Sequence, residues 1–283
     1  MLPGQPSQTL LRSAIRRAQH QLLDVPVILH DPMALALAPE ALDSGGSTDF
    51  GEDNDTAPTL LRALFAMRQR FAEDRLAEAA ARGVPQYAII GAGLDTFPWR
   101  QPEFARGMHI FAADHPSSLV WVQRRLRERG VSRPANLIHV PLDLEQQQLA
   151  EQLAACGFDL EQPGFCSVVG VTQYLSSEAI DALFGFAAAL KPGSEIVLSF
   201  ATVDQELHGH DLDLAMRSVT STGRLGEPWK SRFCQRDLVE RIAGQGFRNV
   251  FHLTPDLAQQ RYFSGRQDEL RAPYWEQLIA ARV

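Results

Sequence analysis

The feature of this sequence that most constrains its fold is an alternation of short apolar runs with segments of helical periodicity, which begins near residue 87. Five apolar runs have the pattern of strands, at residues 87–90, 109–113, 136–140, 165–171 and 194–200. Helical segments lie between them, at about residues 116–129, 145–156 and 177–190. Apolar strands that alternate with helices are typical of a parallel sheet covered by helices on both faces. The pattern therefore predicts an α/β protein with a Rossmann-like sheet.

The last part of the chain completes the predicted sheet. Residues 237–245 have the pattern of a helix, and the runs 247–253 and 259–263 are interpreted as two closing strands, which brings the sheet to seven strands. Residues 201–232 do not fit the alternation. We interpret them as a cap inserted after strand five, over the carboxyl edge of the sheet, where open α/β sheets bind their ligands. Residues 84–283 are thus predicted to form a ligand-binding core.

Residues 1–83 precede the alternation and are predicted to form an N-terminal helical lid. Helical periodicity covers about residues 7–24 and 59–82. Between these helices, segment 43–58 holds five acids, three glycines, one proline and no basic residue. That composition is typical of a flexible loop, because it offers few apolar groups to bury.

Three of the predicted strand ends carry groups that suit a nucleoside. Gly91-Ala92-Gly93 directly follows the first strand, and two glycines let a backbone turn sharply and approach a ligand closely. Asp114 ends the second strand, 21 residues after Gly93, and a carboxylate there can accept hydrogen bonds from both hydroxyls of a ribose. Asp143 follows the third strand and can reach the exocyclic amine of an adenine. Together these groups favour a nucleoside site at the carboxyl edge of the sheet.

The residues after the glycine turn indicate which nucleoside it suits. A dinucleotide-binding turn carries a third glycine, so that helix and strand pack closely beside a pyrophosphate. Here the third position is Thr96, and the carboxylate of Asp95 would repel a pyrophosphate. S-adenosylmethionine (SAM) has no phosphate, and its α-amino group suits a nearby carboxylate. The turn therefore fits SAM better than a nicotinamide dinucleotide.

A set of short motifs spans most of the chain. The most specific is Gly91-Ala92-Gly93-Leu94-Asp95-Thr96, with Asp114-His115-Pro116 after the next strand. Supporting motifs are residues 17–23, 31–34, 67–71, 143–144, 170–175, 191–194, 226–229 and 261–266. With these motifs the chain resembles the leucine carboxyl methyltransferase-like group of class I SAM-dependent methyltransferases, and its bacterial small-molecule branch. The resemblance implies the class I methyltransferase sheet, with SAM as the cofactor.

The resemblance also implies roles for individual residues. Arg68 would pair with the methionine carboxylate of SAM, and Arg17 on the first helix is a second candidate for that contact. The glycine turn would line the methionine moiety, Asp114 would hold the ribose, and Asp143 with Leu144 would bracket the adenine. The complete set of predicted cofactor-binding residues is Arg17, Arg68, Gly91, Ala92, Gly93, Asp95, Asp114, His115, Asp143, Leu144, Val169 and Gly170.

One position departs from the family pattern. The carboxyl methyltransferases carry a glutamate at the start of the motif after the fourth strand, where this chain has Val169. The resemblance implies that this glutamate contacts the amino group of the cofactor, so Asp95 or a backbone carbonyl would replace it here. The departure argues against methylation of a protein C-terminus and favours a small-molecule methyl acceptor.

The chemistry of methyl transfer leaves the choice of acceptor open. Transfer from a sulfonium is an in-line displacement, to which alignment of the acceptor can contribute much of the catalysis. A carboxylate acceptor needs no general base, whereas a hydroxyl benefits from one. The candidates for a base are Tyr174, after the fourth strand, and His20, on a helix of the lid, followed by His115, His208 and His210. We assign no base, and both carboxylate and hydroxyl acceptors remain open.

Composition restricts the other possible functions. The net charge of -7 disfavours nucleic acid as the partner, and no apolar stretch has the length of a membrane span. Cys156, Cys166 and Cys234 are widely spaced and lack metal-ligand spacing, so we expect buried, inert thiols, no metal site and a cytosolic location. Two rival interpretations remain, an NAD-dependent oxidoreductase and a SAM-binding module without catalysis. The sequence does not predict the oligomeric state.

Overall fold

The computed structural model describes residues 7–43 and 57–283, and a seven-stranded sheet forms its centre. The strands are β1 (Gln86–Ile90), β2 (His109–Asp114), β3 (Leu137–Pro141), β4 (Gly164–Val168), β5 (Glu195–Ala201), β6 (Asn249–Leu253) and β7 (Glu276–Arg282). Their order across the sheet is β3-β2-β1-β4-β5-β7-β6. The first five strands are parallel, whereas β7 runs antiparallel to β5 and β6. The predicted α/β fold with seven strands is confirmed, although the sheet is mixed rather than wholly parallel.

Helices cover both faces of this sheet. Across the described residues they are α1 (Gln8–Leu23), α2 (Pro32–Leu37), α3 (Glu40–Asp43), α4 (Ala57–Ala81), α5 (Phe97–Arg100), α6 (Pro116–Glu128), α7 (Leu149–Ala155), α8 (Ser177–Ala188), α9 (Gly209–Arg224), α10 (Gln235–Gly244) and α11 (Pro255–Ala258). Successive residues of a strand point to opposite faces. In β1, Tyr87 therefore shares a buried cluster with Phe71 of α4, while Ile90 shares a second cluster with Phe184 of α8.

The prediction of a strand at residues 259–263 is wrong. These residues form a single π-helical turn directly after α11. The helix α11 is started by Thr254, whose hydroxyl accepts a hydrogen bond from the backbone N–H of Leu257 at 3.3 Å, and the chain continues in helical conformation from there. The seventh strand is instead Glu276–Arg282, which is paired along its whole length with β5 and over residues 278–282 with β6.

Two other predicted elements are shorter than expected. The strand predicted at 165–171 ends at Val168, and Gly170 has a φ of 74° that no strand residue adopts. The helix predicted at 145–156 begins only at Leu149, because Asp143 caps an intervening turn by accepting from the backbone N–H of Glu145 at 3.0 Å. The early end of β4 leaves residues 169–175 free to line the carboxyl edge of the sheet.

The helices before the sheet pack together over its carboxyl edge. Helix α1 begins at its N-cap Ser7 and packs against α2 and α4. At its other end Asp24 accepts two hydrogen bonds of 2.9 Å from Arg62 of α4. Burial alone would raise the pKa of Asp24, but its bonds with His20 and Arg62 hold the pKa below its usual value. The flexible loop predicted at 43–58 falls largely on residues 44–56, which lie outside the described residues.

The sequence predicted no membrane span, no metal site and buried, inert cysteines, and the described part of the chain bears on each. None of its helices is long and apolar enough to cross a membrane, and no cluster of three or more potential metal ligands occurs in it. All three cysteines are free. Cys166 is buried, which raises the pKa of its thiol to about 12, but Cys156 and Cys234 are partly exposed, contrary to expectation.

Candidate functional site

A cavity of about 900 Å³ opens at the carboxyl edge of the sheet, beneath α1, α4 and α9. Its volume lies near the top of the range of roughly 300–1,000 Å³ that is usual for small-molecule sites. Every predicted cofactor-binding residue lines it: Arg17, Arg68, Gly91, Ala92, Gly93, Asp95, Asp114, His115, Asp143, Leu144, Val169 and Gly170. Tyr174 lines it as well.

The glycine turn after β1 has a conformation that larger residues would not adopt. Gly91 and Gly93 have φ angles of 73° and 49°, in the left-handed region that favours glycine. A Cβ on Gly91 would overlap the side chain of Val171, and one on Gly93 would lie 3.2 Å from Leu10 of α1. The turn therefore presents bare backbone to the cavity while the lid and the loop after β4 pack closely against it.

Asp114 is fixed by the backbone around it. Its Oδ2 accepts from the N–H of Gly93 at 2.7 Å, and its Oδ1 accepts from the N–H of His115 at 2.7 Å. Burial raises the pKa of Asp114 while these two hydrogen bonds lower it, and the balance lies above the usual value. A hydrogen bond with Ser118 also reaches this carboxylate, and its remaining acceptor positions are oriented for a ligand diol at the cavity wall.

Asp143 borders the same wall one strand further along the sheet. It is partly exposed, and its side chain accepts only the turn bond from Glu145 among the described residues. The flanking Leu142 and Leu144 line the cavity beside it. A polar group between two leucines suits a flat, mainly apolar ring that carries one hydrogen-bond donor.

Asp95 and Thr96 are both held inside the protein. Asp95 accepts from the N–H of Phe97 at 2.8 Å and from the side-chain amide of Gln69 at 2.9 Å. The hydroxyl of Thr96 donates to Asp31, the N-cap of α2, at 2.6 Å. Thr96, which stands where a dinucleotide-binding turn has its third glycine, therefore links the lid to the glycine turn.

One terminal nitrogen of the Arg68 guanidinium is held in an ion pair, while the other can bind a ligand. Its Nη1 donates to both carboxylate oxygens of Glu276, at 3.0 and 3.3 Å. Its Nη2 has no acceptor among the residues that the structure describes. A Cβ on Gly170 would lie 2.6 Å from this Nη2, so the glycine gives the guanidinium its room. The arrangement leaves a charged donor facing the cavity, ready for an anion.

Arg17 lies nearby and is almost completely buried. Its Nη2 donates to the carbonyl of Leu94, and its Nε has no partner within the described part of the chain. Burial lowers the pKa of Arg17; Asp31 and Asp95 oppose this, while the positive charge of Arg68 adds to it. Two guanidinium groups that repel one another favour an anion between them.

Glu276 is a site residue that the sequence analysis missed. It is 3% exposed, lines the cavity and begins β7, the strand that was not predicted. Its only sequence signal is one acid at the head of the apolar run 278–281. Glu276 binds the guanidinium of Arg68, which also lies against Gly170, the neighbour of Val169, so a carboxylate from a different strand is present on this side of the cavity.

The rest of the cavity wall, which we call the lid side, comes from α1, α4, the loop after β4, the cap and β7. Its members are Ser7, Thr9, Arg12, Leu61, Leu64, Phe65, Gln173, Tyr174, Ser221, Glu227, Trp229, Trp275 and Glu276. Glu227 joins the cap to α1: it accepts from the hydroxyls of Ser7 and Thr9 at 2.9 and 2.5 Å and from the N–H of Gln8 at 2.9 Å. The sequence analysis noted the motif around Glu227 but gave it no role.

The histidine candidates for a general base lie elsewhere or have structural partners. His20 is completely buried outside the cavity lining; its Nδ1 bonds Asp24 at 2.8 Å and its Nε2 accepts from the N–H of Ile28 at 2.8 Å. His208 and His210 do not line the cavity. His115 does, as the N-cap of α6. The expectation that His20 faces the reaction is therefore wrong.

Tyr174 is the one base candidate on the lid side of the cavity. Burial raises the pKa of its phenol, and the negative charges of Glu227 and Glu276 raise it further, against a hydrogen bond with Thr9. At neutral pH the phenol is therefore protonated, and it can donate a hydrogen bond but does not accept a proton as a base.

Comparison with known proteins places these features in a family. The profile of leucine carboxyl methyltransferases matches residues 10–188. The predicted SAM-dependent methyltransferase YktD of Bacillus subtilis is 28% identical over 293 aligned positions, which cover 96% of each chain. A predicted SAM-dependent methyltransferase of Mycolicibacterium gilvum is 32% identical over 194 positions, covering 63% of this chain and 62% of the relative.

Solved structures show the same fold at low sequence identity. A DUF574 family protein from Streptomyces avermitilis superimposes with a TM-score of 0.61 at 14% identity, over 96% of both chains. A predicted methyltransferase from Thermobifida fusca gives 0.55 at 18% identity, over 99% of this chain and 96% of its own. The fold is thus that of the class I methyltransferases. The chain belongs to the leucine carboxyl methyltransferase family, whose members use SAM.

Proposed function

We propose that this protein transfers a methyl group from SAM to an oxygen of a small molecule, either a hydroxyl or a carboxylate. The observation that supports this most directly is one continuous cavity. Along one wall it carries the glycine turn, two guanidinium groups and Asp114, and along another it carries the aromatic and polar lid side. A cofactor and a second, smaller molecule can therefore lie in contact within it.

The residues of the strand ends fit SAM in charge and in shape. The open Nη2 of Arg68, with Arg17 beside it, would hold the carboxylate of the methionine moiety. Asp114 would accept from the ribose hydroxyls, and Asp143 with Leu144 would border the adenine. When bound, SAM supplies a methyl group on a sulfonium, which is a good leaving group.

The protein's own contribution is then positioning and exclusion of water. The lid is fastened to the turn by Thr96 and to the cap by Glu227. A closed cavity holds an acceptor in line with the methyl group, and such alignment can account for much of the acceleration. Protonated Tyr174 would orient an acceptor oxygen by donating to it. No basic side chain is needed for a carboxylate, and a hydroxyl would lose its proton to water.

Titration calorimetry with SAM and with NADH tests the cofactor. We expect SAM to bind and NADH not to bind, because the carboxylate of Asp95 would repel a pyrophosphate and Thr96 replaces the third glycine of a dinucleotide-binding turn. Tight binding of NADH without binding of SAM would establish the rival oxidoreductase interpretation. The names of the relatives do not favour that rival.

Transfer of a labelled methyl group tests catalysis. We expect the enzyme, given labelled SAM and a small-molecule extract, to label a compound that passes a filter retaining macromolecules. SAM binding without any transfer would favour the non-catalytic module instead. Label retained on protein or nucleic acid would contradict the proposal that the acceptor is a small molecule. The features that support this proposal are Val169 and the net charge of -7. A cytosolic location is part of the same proposal.

A further inference from the structure

We infer that the methyl acceptor is an uncharged molecule with an apolar body and a hydroxyl group that donates a hydrogen bond, such as a phenol, and that Gln173 recognises it. This inference rests on the proposed methyl transfer and narrows it from two acceptor classes to one. It draws on three features of the lid side: an unsatisfied amide, the sign of the local charge, and the apolar wall.

The unsatisfied amide belongs to Gln173. The residue is 3% exposed and lines the cavity, yet its side-chain Oε1 is buried with no hydrogen-bond partner among the described residues. Its backbone carbonyl is anchored, accepting from the N–H groups of Lys230 at 2.7 Å and Ser231 at 3.2 Å. Buried polar groups are normally paired, so the amide is matched to a group that the ligand brings. A hydroxyl can donate to this Oε1 and also accept, for example from the buried indole N–H of Trp229, whereas a carboxylate can only accept.

The local charge also disfavours an anionic acceptor. Glu227 and Glu276 are both buried on the lid side, at 8% and 3% exposure. Both act on the hydroxyl of Tyr174, which places their negative potential where the acceptor would lie. A carboxylate brought to this position would be repelled by Glu227 and, less strongly because Arg68 is paired with it, by Glu276, while a neutral hydroxyl would not be repelled.

The positive groups of the cavity do not reverse this conclusion. Arg68 is paired with Glu276 and, with Arg17, is assigned to the carboxylate of SAM. Arg12 donates to Ser221 of the cap at 3.0 Å. Lys230 pairs with Glu145 at 3.1 Å, at the strand-end wall. Three of these four cations are therefore paired with a carboxylate or have a place in the cofactor site.

Part of the lid side is apolar and aromatic, beside the hydroxyls of Ser7, Thr9 and Ser221. Its apolar members are Leu61, Leu64, Phe65, Trp229 and Trp275. Such a surface suits the face of an aromatic or alicyclic ring. In the reaction, the acceptor oxygen forms its bond to the methyl carbon as the carbon–sulfur bond breaks. Sulfur keeps the electron pair of that bond, and the hydroxyl proton leaves to water.

The chemical linkage of the product tests the inference on the wild-type enzyme. The enzyme is incubated with SAM carrying a ¹³C-methyl group and a small-molecule extract, and the product is examined by NMR before and after alkali. We expect a methyl ether that alkali leaves intact. A methyl ester, which alkali converts to methanol, or an N-methyl product would overturn the inference but leave methyl transfer standing. An enzyme that transfers nothing would overturn the proposed function as well.

A substitution then tests the role of Gln173. We expect Gln173→Leu to raise the KM for the isolated acceptor about 10-fold, the usual effect of losing one hydrogen bond, with the Kd for SAM unchanged. Gln245→Leu, at an exposed position after α10, is the matched control and should change neither value. An unchanged acceptor KM in Gln173→Leu, or an equal loss of SAM affinity, would show that Gln173 does not contact the acceptor.

Discussion

The two sides of the cavity are built in different ways. The strand-end side is formed by the glycine turn after β1 and by carboxylates at the ends of β1, β2 and β3. These groups are close in the sequence or lie on neighbouring strands. The lid side is assembled from distant segments: Ser7 and Glu227 are 220 residues apart, and Arg68 and Glu276 are 208 apart. On the strand-end side Asp95, Asp114 and Asp143 each accept from a backbone N–H close in the sequence or one strand away, while the lid side depends on contacts between distant segments. Substitutions on the lid side should therefore alter the use of the acceptor and leave SAM binding intact. Substitutions that damage the cofactor site should impair both.

Arg68 is the residue at which the two sides meet, and its loss should have the largest effect. We expect Arg68→Met to weaken SAM binding about 100-fold, because it removes a charge-assisted hydrogen bond of about 2–3 kcal/mol. It also leaves Glu276 buried without its partner, so the melting temperature should fall. Calorimetry and thermal unfolding measure the two effects.

Arg70 provides the control on the same helix. It is partly exposed and pairs with Asp74 at 2.7 Å, away from the cavity, so Arg70→Met should leave SAM affinity within about twofold. Equal losses of affinity in the two variants would mean that Arg68 acts through the stability of α4 and not through the cofactor.

Gly170 should show the second largest effect. Its φ is 74°, and the Cβ of an alanine at this position would lie 2.6 Å from the guanidinium of Arg68, so Gly170→Ala must strain the backbone and displace that side chain. We expect SAM affinity to fall about 10-fold, since such strain costs on the order of 1–2 kcal/mol. Gly107→Ala, at a glycine with open space around it, is the control for calorimetry. SAM affinity unchanged in Gly170→Ala would show that Arg68 is not confined as described.

Arg68 and Gly170, the residues of these two predictions, were both among the cofactor-binding residues predicted from the sequence. Gly91, Gly93 and Asp114 stand at the ends of apolar runs, so local pattern alone placed them at one sheet edge. Arg68 was found only through the family resemblance, because helical periodicity gives an arginine no function. The partner that anchors it, Glu276, was not found by either route.

Glu276 was missed because the end of the chain was interpreted incorrectly. The run 259–263 ends in Tyr262 and Phe263, aromatic residues that are common in strands, but Thr254 starts a helix just before it. The true strand, Glu276–Arg282, is apolar on both faces in its middle and gives no alternation, since it is buried between β5 and β6. The choice of His20 as a candidate base was wrong for a related reason. The sequence shows a histidine on a lid helix, but it does not show that Asp24 and the backbone of Ile28 bind its two ring nitrogens.

Glu227 offers a test confined to the lid side. Glu227→Gln keeps the size of the side chain but removes the charge and one of its two acceptor oxygens, so α1 should be held less firmly to the cap. We expect kcat/KM for the acceptor to fall about fivefold, because the glutamine still accepts through one oxygen and the net loss of one hydrogen bond costs about 1 kcal/mol. Hydrogen exchange should increase at the start of α1, near Gln8 and Thr9. A loss of SAM affinity larger than the loss in kcat/KM would contradict the separation of the two sides.

Tyr174 should show the smallest effect, and its pH dependence decides between two roles. Burial, Glu227 and Glu276 raise the pKa of the phenol above its ordinary value, so the proton is held at every pH below about 10. Tyr174→Phe should therefore reduce kcat about threefold by removing a hydrogen-bond donor, and the shape of the pH–rate profile between pH 6 and 9 should not change. If Tyr174 were the general base, the wild-type rate would rise with pH through this range, and the variant would lose that rise. A variant that is slower than the wild type by the same factor at every pH is the outcome that a protonated, orienting tyrosine requires, because ionisation of the acceptor hydroxyl affects both enzymes equally.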